Sequence, residues 1–122
     1  MTREYQYIEL VCRGMRLPVS GVLSRSRKHE LCEARQVCSY VLARHMAMPY
    51  TQIACLLNYR SHASPWRDFR EVTKFLGFDR DFIERVKPVL HEAEMLAEHF
   101  KAEACFDDTY DIFDFYSEAA FV

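Results

Sequence analysis

The chain has 122 residues, half of them apolar, and a formal net charge of −2 at pH 7. This length supports one compact domain with a short addition, and this apolar fraction excludes a chain that is disordered throughout. Charge is unevenly divided, because residues 1–76 carry 12 Lys and Arg against 6 Asp and Glu, whereas residues 77–122 carry 4 against 12. Such a division is typical of a polyanion-binding module with an acidic extension.

The five cysteines are an odd number, and no Cys-x-x-Cys pair or zinc-ligand spacing occurs among them. The sequence shows no secretory signal and no apolar run long enough to span a bilayer. We therefore expect reduced thiols, a cytoplasmic protein, no membrane association and no metal site. Cys12, Cys38 and Cys55 are expected to be small buried hydrophobic residues.

The spacing of apolar residues predicts an all-α fold, a helical bundle with an extra carboxy-terminal helical extension. A first helix is predicted over residues 4–13, with Gly14 ending it. Pro18 can open a short second helix through Leu23, since proline fits the first turn of a helix. A longer third helix is predicted over residues 30–46 from a broad apolar stripe that repeats every three to four positions.

A helix-turn-helix is predicted over residues 49–76. Its first helix begins at Pro49 or Thr51, and Asn58 ends it in the left-handed conformation. Its second helix covers residues 61–76, with one face directed to the core (Phe69, Val72, Leu76). The opposite face carries Arg67, Arg70 and Lys74, with Asp68 and Glu71 interrupting the charge.

Gly77 is expected to break the chain, and Asp79 is expected to cap the following helix. Pro88 must kink that helix or start a new one, because an interior proline removes a hydrogen bond. Residues 106–116 are both acidic and aromatic. They form a final amphipathic helix in our preferred interpretation, and the alternatives are that they bind a partner or a second copy, or fold back onto the basic part of the chain.

Four segments share their order and spacing with one known family: Leu23–Lys28, Ala34–Gln36, Ile53–Leu57 and Arg60–Ser64. The chain resembles the carboxy-terminal DNA-binding domain of the bacterial replication initiator DnaA. Between Val11 and Ser64 the match needs no gap, and helical continuity extends it to about Leu90. We therefore predict a domain of this type over residues 1–90 and an acidic aromatic helical extension over residues 91–122.

The resemblance implies that the amino end of the second helix of the helix-turn-helix reads bases in the major groove. His62 and the hydroxyl of Ser64 are retained from the family motif. Ser61 stands where the family has Asp, and Ala63 stands where it has a first hydroxyl, so the preferred DNA sequence should differ. Ser61 can alternatively cap the helix, and Ser64 followed by Pro65 offers a competing cap.

The resemblance also implies roles for the basic loop, which we define as residues 23–28. Arg27 matches an arginine that the family places in the minor groove, where arginine suits the focused negative potential. Arg25 and Lys28 are expected to contact phosphates. Arg35 and Gln36 match residues that grip the DNA backbone. The alternative is that the loop is only a solvated surface.

The predicted function is a stand-alone, sequence-specific duplex-DNA-binding protein, either a regulator or an accessory replication factor associated with the nucleoid. The alternative is a protein-interaction module that keeps the fold without binding DNA. No phosphate-loop or hydrolase motif is present, so we expect neither an enzyme nor a cofactor. The candidate DNA-binding residues are Arg25, Arg27, Lys28, Arg35, Gln36, Arg60, Ser61, His62, Ala63, Ser64, Arg67 and Arg70.

Overall fold

A computed structural model describes residues 2–107, with side chains described as far as Glu103. Within residues 2–107 the chain forms six α-helices and no strand, which confirms the predicted all-α class. The helices are α1 (Arg3–Met15), α2 (Val19–Val22), α3 (His29–Met46), α4 (Tyr50–Leu56), α5 (Ala63–Phe78) and α6 (Arg80–Asp107). The helix-turn-helix consists of α4 and α5.

Helix α3 lies at the centre of the fold and packs against each of the other five helices. Its predicted apolar stripe is buried, and α1 buries Tyr7, Ile8 and Val11. The core is completed by Ile53 and Leu57 from the helix-turn-helix and by residues of α6. The largest fully buried side chains are Tyr7, Phe82, Ile8, Leu42, Ile53 and Leu57.

Two glycines that were expected to end helices lie inside them. Helix α1 continues through Gly14 to Met15 and ends where Arg16 takes the left-handed conformation, with φ 60°. Gly14 is instead a point of close approach, because a Cβ atom there would lie 2.6 Å from Cγ2 of Val89. Helix α5 likewise continues through Gly77 and ends before Asp79, whose carboxylate accepts a hydrogen bond from the N–H of Phe82. The predicted cap at Asp79 is therefore confirmed.

Pro88 lies inside α6, so the alternative in which it starts a new helix is wrong. Pro88 is exposed, and water can therefore bond the carbonyl group that its missing N–H leaves free. Beyond it, Val89 and Ala93 are buried against the core. The domain boundary predicted at residue 90 thus falls within a continuous helix. The interpretations of the acidic aromatic tail concern residues 108–122, which lie outside the described part of the chain.

Two of the three cysteines that were expected in the core are buried there, and the third is not. Cys12 and Cys38 are buried as predicted. Cys55 is exposed, so that prediction is wrong: α4 turns Ile53 and Ala54 inward and leaves Cys55 on its outer side. Across residues 2–107, no helix is both long and apolar enough to cross a membrane.

Candidate nucleic-acid interface

The turn between α4 and α5 has a defined backbone shape. Asn58 takes the predicted left-handed conformation, with φ 65°. The N–H of Tyr59 then donates a hydrogen bond to the carbonyl oxygen of Ala54 at 2.8 Å, which ties the turn back to α4. The three residues between this turn and α5, which are Arg60, Ser61 and His62, are all exposed.

Ser61 bonds to the first residue of α5 but is not the N-cap that was predicted, because His62 holds that position. Its Oγ accepts a hydrogen bond from the N–H of Ala63 at 3.1 Å. The competing cap at Ser64 is wrong, because α5 already begins at Ala63. Pro65 causes no conflict, since the first four N–H groups of a helix have no partner within it. His62 stands at the end of the helix without making a side-chain cap bond.

Serine side chains organise the basic loop. Oγ of Ser24 donates to the carbonyl oxygen of Gly21 at 2.6 Å and accepts from the N–H of Ser26 at 3.2 Å. Oγ of Ser26 accepts from the N–H of Lys28 at 3.3 Å. Such short-range serine bonds stabilise turns. The loop is therefore shaped by its own side chains, and Arg25, Arg27 and Lys28 are exposed on it.

Arg25 joins the basic loop to the helix-turn-helix. Its Nε donates to the carbonyl oxygen of Asn58 at 3.3 Å, and its Nη2 donates to Oδ1 of Asn58 at 3.4 Å. A guanidinium has five N–H donors, so three remain for a phosphate. Arg25 thus sets the distance between the loop and the turn.

Arg35 has a different environment from that of a phosphate-gripping residue. Only 6% of it is exposed. Its Nε donates to the carbonyl oxygen of Val22 at 2.7 Å, and its Nη2 donates to that of Ser26 at 2.6 Å. Because these donors are used inside the protein, we infer that Arg35 holds the basic loop in place and does not itself contact DNA. Its neighbour Gln36 is half-buried on α3.

A buried carboxylate fixes α5 against α3 and against the turn. Oδ2 of Asp68 accepts hydrogen bonds from the hydroxyl of Tyr59 at 2.5 Å and from that of Ser39 at 3.0 Å. Burial raises the pKa of Asp68, and the two hydroxyls and the nearby cations of Arg67 and Arg35 oppose that rise. Burial and the bond to Asp68 together raise the pKa of Tyr59, which keeps its hydroxyl protonated as the donor.

Asp68 was not among the predicted site residues, and its inward position differs from the expected one on the charged outer face. The sequence did contain a signal for it. Asp68 precedes the buried Val72 by four positions and so lies on the same side of the helix. A lone acidic residue on an apolar stripe indicates a buried acceptor that needs donors, and Tyr59 and Ser39 supply them.

A groove of about 620 Å³ runs between the basic loop and the start of α5. Its walls include five of the predicted site residues: Arg25, Arg27, Arg35, Arg60 and Ser64. The other seven lie outside the groove walls: Lys28, Gln36, Ser61, His62, Ala63, Arg67 and Arg70. Of these, Ser61, His62 and Ala63 stand at the start of α5, and Arg67 and Arg70 are exposed further along it.

Comparison with known proteins agrees with this geometry. Residues 6–71 match the family model described as the bacterial dnaA protein helix-turn-helix. The chromosomal replication initiator protein DnaA of Mycoplasma genitalium is 39% identical over 75 residues, and that of Mycoplasma pneumoniae is 37% identical over 75 residues. Each alignment covers 62% of this chain but only 17% of the relative. No solved structure gives a significant match. Since the family model covers more than half of the chain, the protein belongs to the family of bacterial DnaA helix-turn-helix domains.

Proposed function

We propose that this protein binds duplex DNA through the basic loop and the amino end of α5. One observation carries the proposal: exposed arginines from two distant parts of the sequence, Arg25 and Arg27 on the loop and Arg60 in the turn, line one groove. Like charges held together on a folded surface repel each other, and a polyanion relieves that repulsion. Membership of the DnaA helix-turn-helix family also favours DNA as the polyanion.

Each element has a separate role in the proposed complex. The amino end of α5 enters the major groove, where His62 and Ser64 approach base edges. Arg27 enters the adjacent minor groove, while Arg25, Lys28 and Arg60 contact phosphates. Arg67 and Arg70 follow on the exposed side of α5, and Gln36 is a further backbone contact. Arg35 and Ser61 act indirectly in this scheme, by shaping the loop and the helix start.

The biological role that we propose is that of a sequence-specific regulator or accessory replication factor. As part of this role, we propose a stand-alone binding protein without catalytic activity or cofactor. We propose the cytoplasmic nucleoid as its location. Residues 1–90 would supply the DNA-reading unit. Residues 91–122, which begin within α6, would form an extension of this unit. We propose that this extension also contacts a protein partner or a second copy of the chain.

A protein-interaction module is the second candidate function. It is favoured by the excess of acidic residues over residues 77–122 and by the loss of the family's Asp and hydroxyl at Ser61 and Ala63. A random pool of duplexes incubated with the protein at low and at physiological salt separates the two functions. We expect enrichment of one sequence motif, with weaker retention at higher salt. Retention of no duplex at either salt concentration would contradict DNA binding.

Replacing His62 by alanine is expected to reduce specificity. The imidazole makes no cap bond, so the fold should be unaffected. Loss of one base contact costs about 1–3 kcal/mol on the selected site and leaves nonspecific binding nearly intact. Fluorescence anisotropy with selected and scrambled duplexes measures both affinities. His91→Ala, at an exposed histidine of α6, is the matched control, and equal losses on both duplexes would show that His62 does not read bases.

A further inference from the structure

Trp66 is the only tryptophan of the chain, and it lies on α5 with 45% of its surface exposed. It follows His62 by four positions, so both lie on one side of the helix, about 6 Å apart along the axis. A large aromatic side chain left in water is costly unless something covers it. Trp66 is not among the residues that pack against the described core.

The indole ring is paired with a cation. The guanidinium carbon of Arg70 lies 4.8 Å from the centre of the Trp66 ring. Arg70 follows Trp66 by four positions and is itself exposed. Stacking of this kind is worth about 0.5–1 kcal/mol at an exposed site and holds the guanidinium in a limited range of positions. The contact therefore favours a guanidinium position beside the indole before any ligand binds.

The position of Trp66 distinguishes it from the other two large hydrophobic residues that are exposed between residues 2 and 103. Phe78 is 65% exposed and Met95 is 59% exposed. Phe78 lies sixteen positions beyond His62, which corresponds to about 24 Å along a helix and exceeds the roughly 12 Å width of the major groove. Met95 belongs to α6. Trp66 alone of the three lies within a groove's width of the end of α5 that would read bases.

We propose that Trp66 is a specificity-determining residue whose indole packs against the C5-methyl group of a thymine in the major groove. The thymine methyl is the only apolar group that base pairs present there, so it is the natural partner for an exposed ring. An axial offset of about 6 Å places Trp66 nearly two base pairs from the pair that His62 contacts. Arg70, stacked on the same ring, then directs its free donors to a phosphate at the groove edge.

This assignment rests on the proposed function and deepens it, and replacing thymine by uracil tests it because that change removes only the methyl group. In the selected duplex, each thymine is changed in turn, and binding of the parent and of Trp66→Ala is measured by anisotropy. Burial of one methyl group is worth about a fourfold change in affinity. We expect a loss of about that size at one thymine for the parent and no loss at that thymine for Trp66→Ala.

Two further variants guard against trivial results. Trp66→Phe keeps an aromatic ring and should retain sensitivity to the same uracil, whereas Phe78→Ala should behave as the parent. Because Trp66 is the sole tryptophan, its emission should also become less accessible to a soluble quencher when duplex is added. The assignment would be overturned if uracil weakened binding of the parent at no thymine, or weakened binding of the parent and of Trp66→Ala equally at each thymine. Unchanged quenching would also overturn it. If the parent bound no duplex at all, the proposed function itself would fail.

Discussion

A chain that ends after Lys87 is expected to be unfolded in water. Such a chain lacks Val89 and Ala93, which are buried, and Leu96 and Phe100, which pack against the core. In the missing segment, the side chain of Val89 also packs directly against Gly14 of α1. Fully buried side chains contribute about 1.5–3 kcal/mol each, so the loss removes a large part of the roughly 5–15 kcal/mol that stabilises a small domain. Far-ultraviolet circular dichroism should show loss of most of the helix signal.

The matched control ends after Glu103 and keeps every side chain that packs against the core in the described structure. It should stay folded, because it keeps Val89, Ala93, Leu96 and Phe100 packed in the core. The deleted residues 104–122 carry five Asp and Glu and no Lys or Arg. If the acidic tail tempers DNA binding, as its charge predicts, this shorter chain should bind duplex more tightly, most clearly at low salt. A cooperatively folded chain ending after Lys87 would show that the second half of α6 is dispensable.

Arg35→Ala should lower both stability and DNA affinity, although Arg35 is almost fully buried. The change leaves the carbonyl oxygens of Val22 and Ser26 without their guanidinium donor. Each unsatisfied buried acceptor costs about 1–3 kcal/mol, so we expect the free energy of unfolding to fall by roughly 2–4 kcal/mol. The basic loop should then lose its fixed position, and binding should weaken for all duplexes. Urea denaturation and anisotropy measure the two effects.

Arg44→Ala is the control for this experiment, because Arg44 lies on the same helix and is exposed. It should change neither the unfolding midpoint nor duplex affinity by a comparable amount. The result also decides between two roles for Arg35. An unchanged stability, combined with a salt dependence that falls by the value of one phosphate contact, would mean that Arg35 contacts DNA after all.

Local signals predicted most of the helix features, with three exceptions. The apolar stripe of α3, the left-handed Asn58 and the cap at Asp79 depend on neighbouring residues only, and all were correct. Gly14 and Gly77 were expected to end helices, and Pro88 to kink a helix or start one, because each weakens an isolated helix. All three lie inside helices. At Gly14 the lack of a side chain allows close packing, since Val89 occupies the space where a Cβ would be.

The site was predictable where a residue is exposed and was less so where its neighbours come from elsewhere in the chain. Arg27, Arg60 and His62 follow from a motif and lie on the surface. Arg35 belongs to the same motif, yet its burial depends on α2 and on the fold of the loop, which no local pattern reveals. The partners of Asp68 likewise come from α3 and from the turn. The partners of the buried charged groups are thus the information that no local pattern supplied.

The salt dependence of duplex binding is the sharpest test of the proposed phosphate contacts of the basic loop. The parent should be compared with a variant in which Arg25, Arg27 and Lys28 are alanine. A second triple variant, with Arg3, Arg44 and Lys101 replaced, removes the same charge from a separate groove near the carboxyl end of α3. This control groove lies about 24 Å along α3 from Lys28.

For the parent, the logarithm of affinity should fall linearly with the logarithm of salt concentration. The loop variant should bind every duplex more weakly, with its slope reduced by about one for each phosphate that the loop no longer neutralises. The control variant should keep nearly the parental slope. Equal affinities and equal slopes for the parent and the loop variant would show that the basic loop does not contact phosphates.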